Sequence, residues 1–318
     1  MTVHINSLAG SASASAETLQ GILEALPIGV SWATLPGGII RFSNRAFDRL
    51  FGYPAGTFET AKQLVEMTYI HAEQRALAAE LWRHFKPGVK TGITEIPYIE
   101  LDIRRGDGEI RTVRHCGAIL HELDVGLAVF EDISEQKKLN EMLFRFAHLD
   151  PLTGLANRRS LQDRWQAEML EASRRRRMAF LMIDLDRFKE INDGLGHEAG
   201  DIVLRTVAQR LQETVRTSDL VCRLGGDEFG ILLPDPETTA QVEDISRRIV
   251  AALWEPIMIG ATEVRVGGSV GGCQFPDQAS DLRELLTRAD QALYRVKATG
   301  RGGWALAGTG GGPAGRDR

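Results

Sequence analysis

The sequence predicts an α/β (α+β) chain of two domains joined by a helix, and three observations carry that expectation. Its 318 residues suggest two domains, and an apolar content of 43% supplies core for both. From residue 28 to about residue 133, short strand-like runs are separated by turns. Beyond residue 150, strand-length apolar runs alternate with amphipathic helices.

In order, residues 1–16 are rich in Ser and Ala and read as a flexible N-terminus. The first domain spans 17–133. A helix starts near Glu17, with Leu19, Ile22, Leu23 and Leu26 at helical spacing before Pro27 stops it. That stripe fits packing on its own domain as well as pairing of subunits. Residues 28–32 alternate, Pro36-Gly37-Gly38 turns, and 39–42 returns. Residues 44–53 read as a short amphipathic helix. Strands follow at 99–104, 109–115 and 126–131, with Gly106-Asp107-Gly108 turning between the first two.

Residues 134–149 read as a linker helix. Ser134 is placed to cap it, and Leu139, Met142, Leu143, Phe146 and Leu149 form an apolar stripe suited to a short parallel coiled coil. The second domain spans 150–306. Its first helix repeats Leu161, Trp165, Met169 and Ala172 on one face, and Arg174 to Arg177 read as its solvated C-terminal end. Residues 179–183 are wholly apolar and of strand length. A helix opening at Asp201 buries Val203, Leu204, Val207, Leu211 and Val215. Then come a helix over 239–254, a strand pair around 263–275 and a helix over 282–297. Residues 307–318 are Gly-rich without period and read as a disordered tail.

The chemistry gathers at Arg223-Leu224-Gly225-Gly226-Asp227-Glu228-Phe229-Gly230. Apolar runs on either side of Gly-Gly predict a β-hairpin with two carboxylates at its tip. A solvated acidic turn explains these eight residues equally well. The balance shifts at Asp184-Leu185-Asp186, where two acids share a face at the end of an apolar strand. Brought together, such carboxylates form a hard oxygen site for Mg2+ or Mn2+ rather than zinc.

These segments resemble the GGDEF-domain diguanylate cyclases, which join two GTP into cyclic di-GMP with release of two pyrophosphates. Asp150-Pro151-Leu152-Thr153-Gly154-Leu155-Ala156-Asn157-Arg158-Arg159 and Ala289-Asp290-Gln291-Ala292-Leu293-Tyr294-Arg295-Val296-Lys297 match that family's first and last segments. The resemblance implies a ferredoxin-like nucleotide-cyclase core with a mainly antiparallel sheet. It implies two divalent ions per active site on Asp184, the Leu185 carbonyl and Asp227, with Glu228 aiding the metals or deprotonating the ribose 3′-hydroxyl. Asn192 and Asp201 would hold guanine, with Phe188 among the substrate contacts, and Lys189, Lys297 and Arg301 would neutralise the triphosphate. Each active site would contribute one nucleotide, so the enzyme would be a homodimer. Arg216 and Asp219, with Arg247 or Arg248 as second contact, would form an inhibitory product site. Gly302 departs from the pattern, standing where Asn usually follows the Arg, and puts the local loop geometry in question.

The first domain is similar to a PAS sensor, through the 44–53 segment, Asp107-Gly108-Glu109-Ile110-Arg111 and Asp132-Ile133-Ser134-Glu135-Gln136-Lys137. The pocket ligand is not legible. His71 and His84 are candidate haem ligands, but His71-Ala72-Glu73-Gln74-Arg75 also reads as an ordinary loop-to-helix junction. The Asn-Cys-Arg-Phe of light-sensing flavin domains is absent from the sequence. Trp32, Trp82 and Phe85 read as packed core, and a purely structural domain stands as the alternative.

A net charge of −5 gives no electrostatic reason to bind nucleic acid. Three widely spaced cysteines fit reduced thiols rather than a disulfide framework. With no long apolar run or signal-like start, the expectation is a cytoplasmic protein without a membrane partner. Two other functions compete with catalysis: a non-catalytic cyclic di-GMP or GTP receptor, and a sensory interaction module.

Overall fold

Asn44 organises the start of the chain. It is fully buried; its Oδ1 accepts from the N–H groups of Val30 and Phe47, and its Nδ2 donates to the carbonyls of Leu23 and Ile28. One side chain thus caps α2 (Arg45–Phe51) while fastening it to α1 (Ala16–Ala25) and β1 (Gly29–Thr34). The structure, a computed structural model, describes residues 16–81, 92–170, 177–308 and 312–313. The chain divides into two compact units, Met1–Asn140 and Glu141–Arg318.

In the first unit, β1 pairs with β2 (Ile40–Ser43) and with β5 (Val125–Asp132). Next to β5 lie β4 (Ile110–Leu120) and then β3 (Ile93–Arg104), giving an antiparallel sheet of order β2-β1-β5-β4-β3. Helices α2, α3 (Ala61–Thr68) and α4 (Ala72–Leu81) accompany it, and the core gathers Phe47, Phe51, Tyr69, Leu101, Ile103, Val113 and Phe130. Strands β3 and β4 run longer than the sequence predicts. The added residues of β3, such as Ile93, Glu95 and Tyr98, are largely exposed, so the alternation that marks a strand is weak there, and a bulge between Ile96 and Ile99 breaks it further. Trp82, His84 and Phe85 lie outside the described residues, as do residues 1–15.

Helix α5 (Ser134–His148) matches the expected linker, but Ser134 does not cap it. The Ser134 Oγ accepts from Thr112 N–H and ties the helix start to β4, while Asp132 Oδ1 receives the Ser134 N–H. Leu139, Met142, Leu143 and Phe146 of the stripe are exposed, as is Phe144.

In the second unit, one sheet is covered on both faces. Its described elements are α6 (Arg158–Leu170), β6 (Met178–Asp186), α7 (Phe188–Leu195), α8 (His197–Thr214), β7 (Leu220–Gly225), β8 (Glu228–Pro234), α9 (Thr239–Trp254), β9 (Ile257–Ile259), β10 (Thr262–Val264), β11 (Gly267–Phe275), α10 (Leu282–Ala298), β12 (Gly303–Leu306) and β13 (Gly312–Pro313). The sheet order is β13-β12-β11-β6-β8-β7, antiparallel except for the β11–β12 pair. Ala179, Leu181, Ile183 and Leu185 pack with residues of α7, α8 and α9, whereas Met178, Phe180 and Met182 pack with residues of α6 and α10. This period of two carries Asp184 and Asp186 onto the α6–α10 face.

Four expectations need correcting. Helix α8 starts at His197, so Asp201 lies inside it; Gly196, with φ 87°, separates it from α7. The region near 263 is split: β9 and β10 form a ribbon of their own and β11 joins β6. Met169 is exposed and Glu168 takes the buried place after Trp165, while Ala172 and residues 174–176 lie outside the described residues. The second unit also continues past Leu306: Ala307 is buried, its N–H donates to the Gly272 carbonyl, and Gly312–Pro313 pairs with β12. Cys222 and Cys273 are free buried thiols, and burial raises them to about 12 and about 11.

Candidate functional site

Strands β7 and β8 close on Gly225 and Gly226, whose φ angles of 147° and 54° are open to glycine and strained for other residues. Gly225 and Glu228 are cross-strand partners, leaving Gly226-Asp227 as the turn. The β6–β8 register then sets Asp184 directly opposite Glu228, and the Leu185 N–H donates to the Asp227 carbonyl at 3.3 Å. The acidic tip and the acidic strand end therefore lie side by side.

Two residues that spacing did not single out hold this turn. Arg223 donates from Nε and Nη2 to the Gly226 carbonyl at 2.9 and 2.6 Å, and from Nη1 to both Asp150 oxygens at 3.0 and 3.2 Å. Asp150 also accepts from the N–H and hydroxyl of Thr153. Burial pushes the Asp150 carboxyl up, but the Thr153 donors and Arg223 outweigh it and hold it below the usual carboxylate range. The available signal was an Arg inside the octapeptide and an Asp-x-x-Thr turn at the start of the domain.

Asp184 and Asp186 share a face but not a task. Asp184 Oδ2 lies 2.7 Å from the Lys297 ammonium at the end of α10. Burial raises its pKa; Lys297 opposes this, and Asp227 and Asp186 add to it by like-charge repulsion. Asp186 is spent on structure: Oδ1 accepts from the Ser269 hydroxyl at 2.8 Å and Oδ2 from the Gly302 N–H at 3.0 Å. Arg187, with φ 59°, turns β6 straight into α7, and Lys189 stands exposed on that helix. Arg301 is likewise left-handed at φ 65°, with its N–H closing α10 on Val296.

The residues expected at guanine come together at the α7–α8 junction. A Cβ on Gly200 would collide with Asn192 Oδ1 and stand 3.1 Å from Phe188 Cζ, so Phe188, Asn192 and the backbone just before Asp201 are in close approach. Asp201 itself lies 3.8 Å from Arg205 on the same helix. Gly200 is a further residue the sequence reading did not single out.

The expected product site is less assembled. Arg216 lies beyond the end of α8, exposed, and Asp219 Oδ2 accepts from the Arg216 N–H in a local turn. Arg247 pairs with Asp244 on its own helix, whereas Arg248 crosses to the Thr214 carbonyl at 2.6 Å, so Arg248 is the arginine adjoining that segment. In the first unit, His71 faces Asp102 at 3.5 Å.

Residues 147–303 match the family model of the diguanylate cyclase GGDEF domain. This segment is a GGDEF domain. Its span takes in the turn, both acidic strand ends, the α7–α8 junction, Lys297 and Arg301. Diguanylate cyclase TpbB of Pseudomonas aeruginosa is 40% identical over 192 residues, covering 60% of this chain and 43% of that protein. The bifunctional diguanylate cyclase/cyclic di-GMP phosphodiesterase MucR of Pseudomonas aeruginosa is 39% identical over 170 residues, covering 53% of this chain and 25% of that protein. The chain thus spans less than half the length of these two relatives. The coiled coil and GGDEF domain of DgcB from Caulobacter crescentus, in complex with c-di-GMP, aligns with a TM-score of 0.50 at 27% identity, covering 55% of this chain and 93% of that one.

The donor set of this GGDEF domain fits a hard divalent cation by its chemistry. Asp184, Asp227 and Glu228 supply oxygen only, and the like-charge repulsion of Asp227 on Asp184 favours a nearby positive charge. Among the described residues no three acidic, His or Cys side chains are gathered closely enough to ligate an ion, and Lys297 is the cation at Asp184.

Proposed function

We propose that the chain is a diguanylate cyclase, condensing two GTP into cyclic di-GMP and two pyrophosphates under the control of a PAS-type sensor in its first unit. The observation that carries the catalytic reading is the pairing of Asp184 with Glu228 beside the Gly225-Gly226 turn, within a segment that matches the GGDEF family. The sensor reading rests on the five-stranded antiparallel sheet with its short helices and on the motifs that resemble PAS domains.

In this reading Asn192 and Asp201 pair with the guanine edge, an arrangement adenine cannot satisfy without leaving the carboxylate unpaired. Phe188 packs beneath them, with Gly200 leaving the room. Lys189, Lys297 and Arg301 receive the triphosphate oxygens. Asp184, the Leu185 carbonyl, Asp227 and Glu228 would hold two Mg2+ or Mn2+ ions, which would supply charge neutralisation at the reacting phosphate. The 3′-oxygen of one GTP attacks the α-phosphorus of the other; its proton passes to Glu228, the α–β phosphate bond breaks and pyrophosphate leaves. The same step in the opposite sense closes the ring.

Each GGDEF domain presents one nucleotide, so two chains must meet, and the exposed stripe of α5 offers a parallel pairing surface. Arg216, Asp219 and Arg248 would take the product, with Arg248 in place of Arg247; inhibition by added cyclic di-GMP that is unchanged in Arg216→Ala excludes that site. GTP as substrate supports a cytoplasmic location, and no helix among the described residues is long and apolar enough to cross a membrane.

The test is turnover of GTP with Mg2+ by the purified chain, read as cyclic di-GMP and pyrophosphate. Asp227→Ala removes a metal ligand and nearly all turnover. An undiminished rate in that variant overturns the assignment.

A further inference from the structure

The first unit holds a cavity of about 630 Å³, a size within the range of roughly 300–1,000 Å³ typical of small-molecule sites. We propose that this cavity binds an uncharged, largely apolar small molecule that presents one hydrogen-bonding group to the Tyr69–His115 pair. The proposal deepens the sensor reading of the first unit and is independent of the cyclase chemistry.

The space exists because small residues face it. Ala33, Gly38, Ala61, Gly126 and Ala128 line it where larger aliphatic side chains would close the core, as they do around Leu101 and Ile103. Leu64 and Phe130 add apolar wall. Three polar groups interrupt this lining from within: Ser31, Tyr69 and His115 are each at least 95% buried, at 4%, 2% and 5% exposure. The Tyr69 hydroxyl and His115 Nδ1 lie 2.8 Å apart, and the imidazole stacks on Phe130 at 4.4 Å. Apolar walls with a few fixed polar groups orient a ligand of mixed character.

The charge of the ligand follows from the described residues that line the cavity. Burial lowers His115 to about 4 and raises Tyr69, so both are neutral at physiological pH. Arg75 donates to the Tyr69 and Ile70 carbonyls at 2.6 and 3.1 Å, and Lys62 and Glu66 form an exposed pair at 3.7 Å. A carboxylate or an ammonium group reaching the Tyr69–His115 pair would lose its water, and neither neutral ring offers it a counter-charge. A neutral carbonyl, hydroxyl or amine loses far less and gains a partner.

The experiment uses the full chain and N-phenyl-1-naphthylamine, a neutral probe whose fluorescence rises in apolar surroundings. Saturable binding at one site per chain is expected, with 1-decanol displacing the probe at least about tenfold better than decanoate or decyltrimethylammonium. Ala128→Leu, which fills the cavity, should weaken probe binding at least about tenfold. Because that change is in the sheet, Ala79→Trp, at an exposed position of the lining, provides a second block that does not burden the core. Tyr69→Phe keeps the volume and should cost 1-decanol roughly three- to tenfold in affinity. Absence of saturable binding, equal displacement by the charged compounds, or unchanged binding in both blocked variants overturns the proposal. Binding that leaves GTP turnover unchanged would instead count against the sensor reading alone.

Discussion

Replacing Arg223 by alanine should disable the site without touching a reacting group. The change removes two bonds to the Gly226 carbonyl and the bifurcated contact of Nη1 with both Asp150 oxygens, and the Arg223 and Asp150 side chains are only 12% and 17% exposed. Exposed ion pairs contribute about 0–1 kcal/mol and breaking a buried pair costs about 3–5 kcal/mol, so this one should cost the second unit about 2–3 kcal/mol. The catalytic effect is separate. Released from Arg223, the turn holds Asp227 and Glu228 through the backbone ladders of β8 with β6 and β7, and a displacement near 1 Å at a reacting geometry costs about a hundredfold in rate. Initial rates against GTP concentration should show kcat down roughly ten- to a hundredfold with KM changed less than about threefold. Arg223→Lys should rescue little, because one ammonium cannot serve the carbonyl and the carboxylate in the geometry of a guanidinium fork. A full kcat in Arg223→Ala, or a rise in KM alone, refutes the idea that this pair positions the acidic tip.

Two further outcomes follow from the geometry. Gly200→Ala drives a methyl group into Asn192 and Phe188, so KM for GTP should rise by about tenfold or more while the Mg2+ dependence of kcat holds; an unchanged KM means the α7–α8 junction is not the guanine contact. His115 is held neutral by burial, at about 4 against an ordinary 6.5, so the unfolded state binds the extra proton below pH 6.5. Stability of the first unit should therefore be full above pH 6.5 and fall by about 2 kcal/mol between pH 7.5 and 5 as the pH drops toward the folded value. Hydrogen exchange of β1 and β4 amides reads that loss, and His115→Gln should flatten it; an equal pH slope in the variant assigns the effect elsewhere.

What the sequence made legible was local. The glycine hairpin, whose turn falls one residue on at Gly226-Asp227, the apolar run of β6 and the acids at its end are set by the nearest neighbours. Contacts between distant segments left no such trace. Arg223 and Asp150 are 73 residues apart, and nothing in either neighbourhood announces the pair. Gly200 reads as an ordinary loop glycine ahead of a helix until Asn192 is seen against it. The choice between Arg247 and Arg248 turned on one residue, which on an α-helix is a rotation of about 100° and decides between Asp244 and Thr214. His115 was hidden for a related reason: in an alternating strand a histidine on the inner face looks like any polar residue, and only the folded chain shows Tyr69 as its partner beside the cavity.

Gly302 illustrates how a departure from a family pattern can leave the site intact. Its φ of 64° lies in the left-handed region, which glycine enters freely and which asparagine tolerates better than most residues. The function of the position resides in its backbone, since the Gly302 N–H is the group that meets Asp186 Oδ2. Asp186 in turn holds Ser269 of β11, so one carboxylate locks the strand end, its neighbour and the loop after α10 in a single register. That loop carries Arg301, and the helix before it carries Lys297, the cation at Asp184. The cations of the site are thus tied to its acids through a main-chain donor that either residue would supply. It follows that the damaging change here is in the acid: Asp186→Ala would free the loop from β6, whereas the side chain at position 302 is close to indifferent.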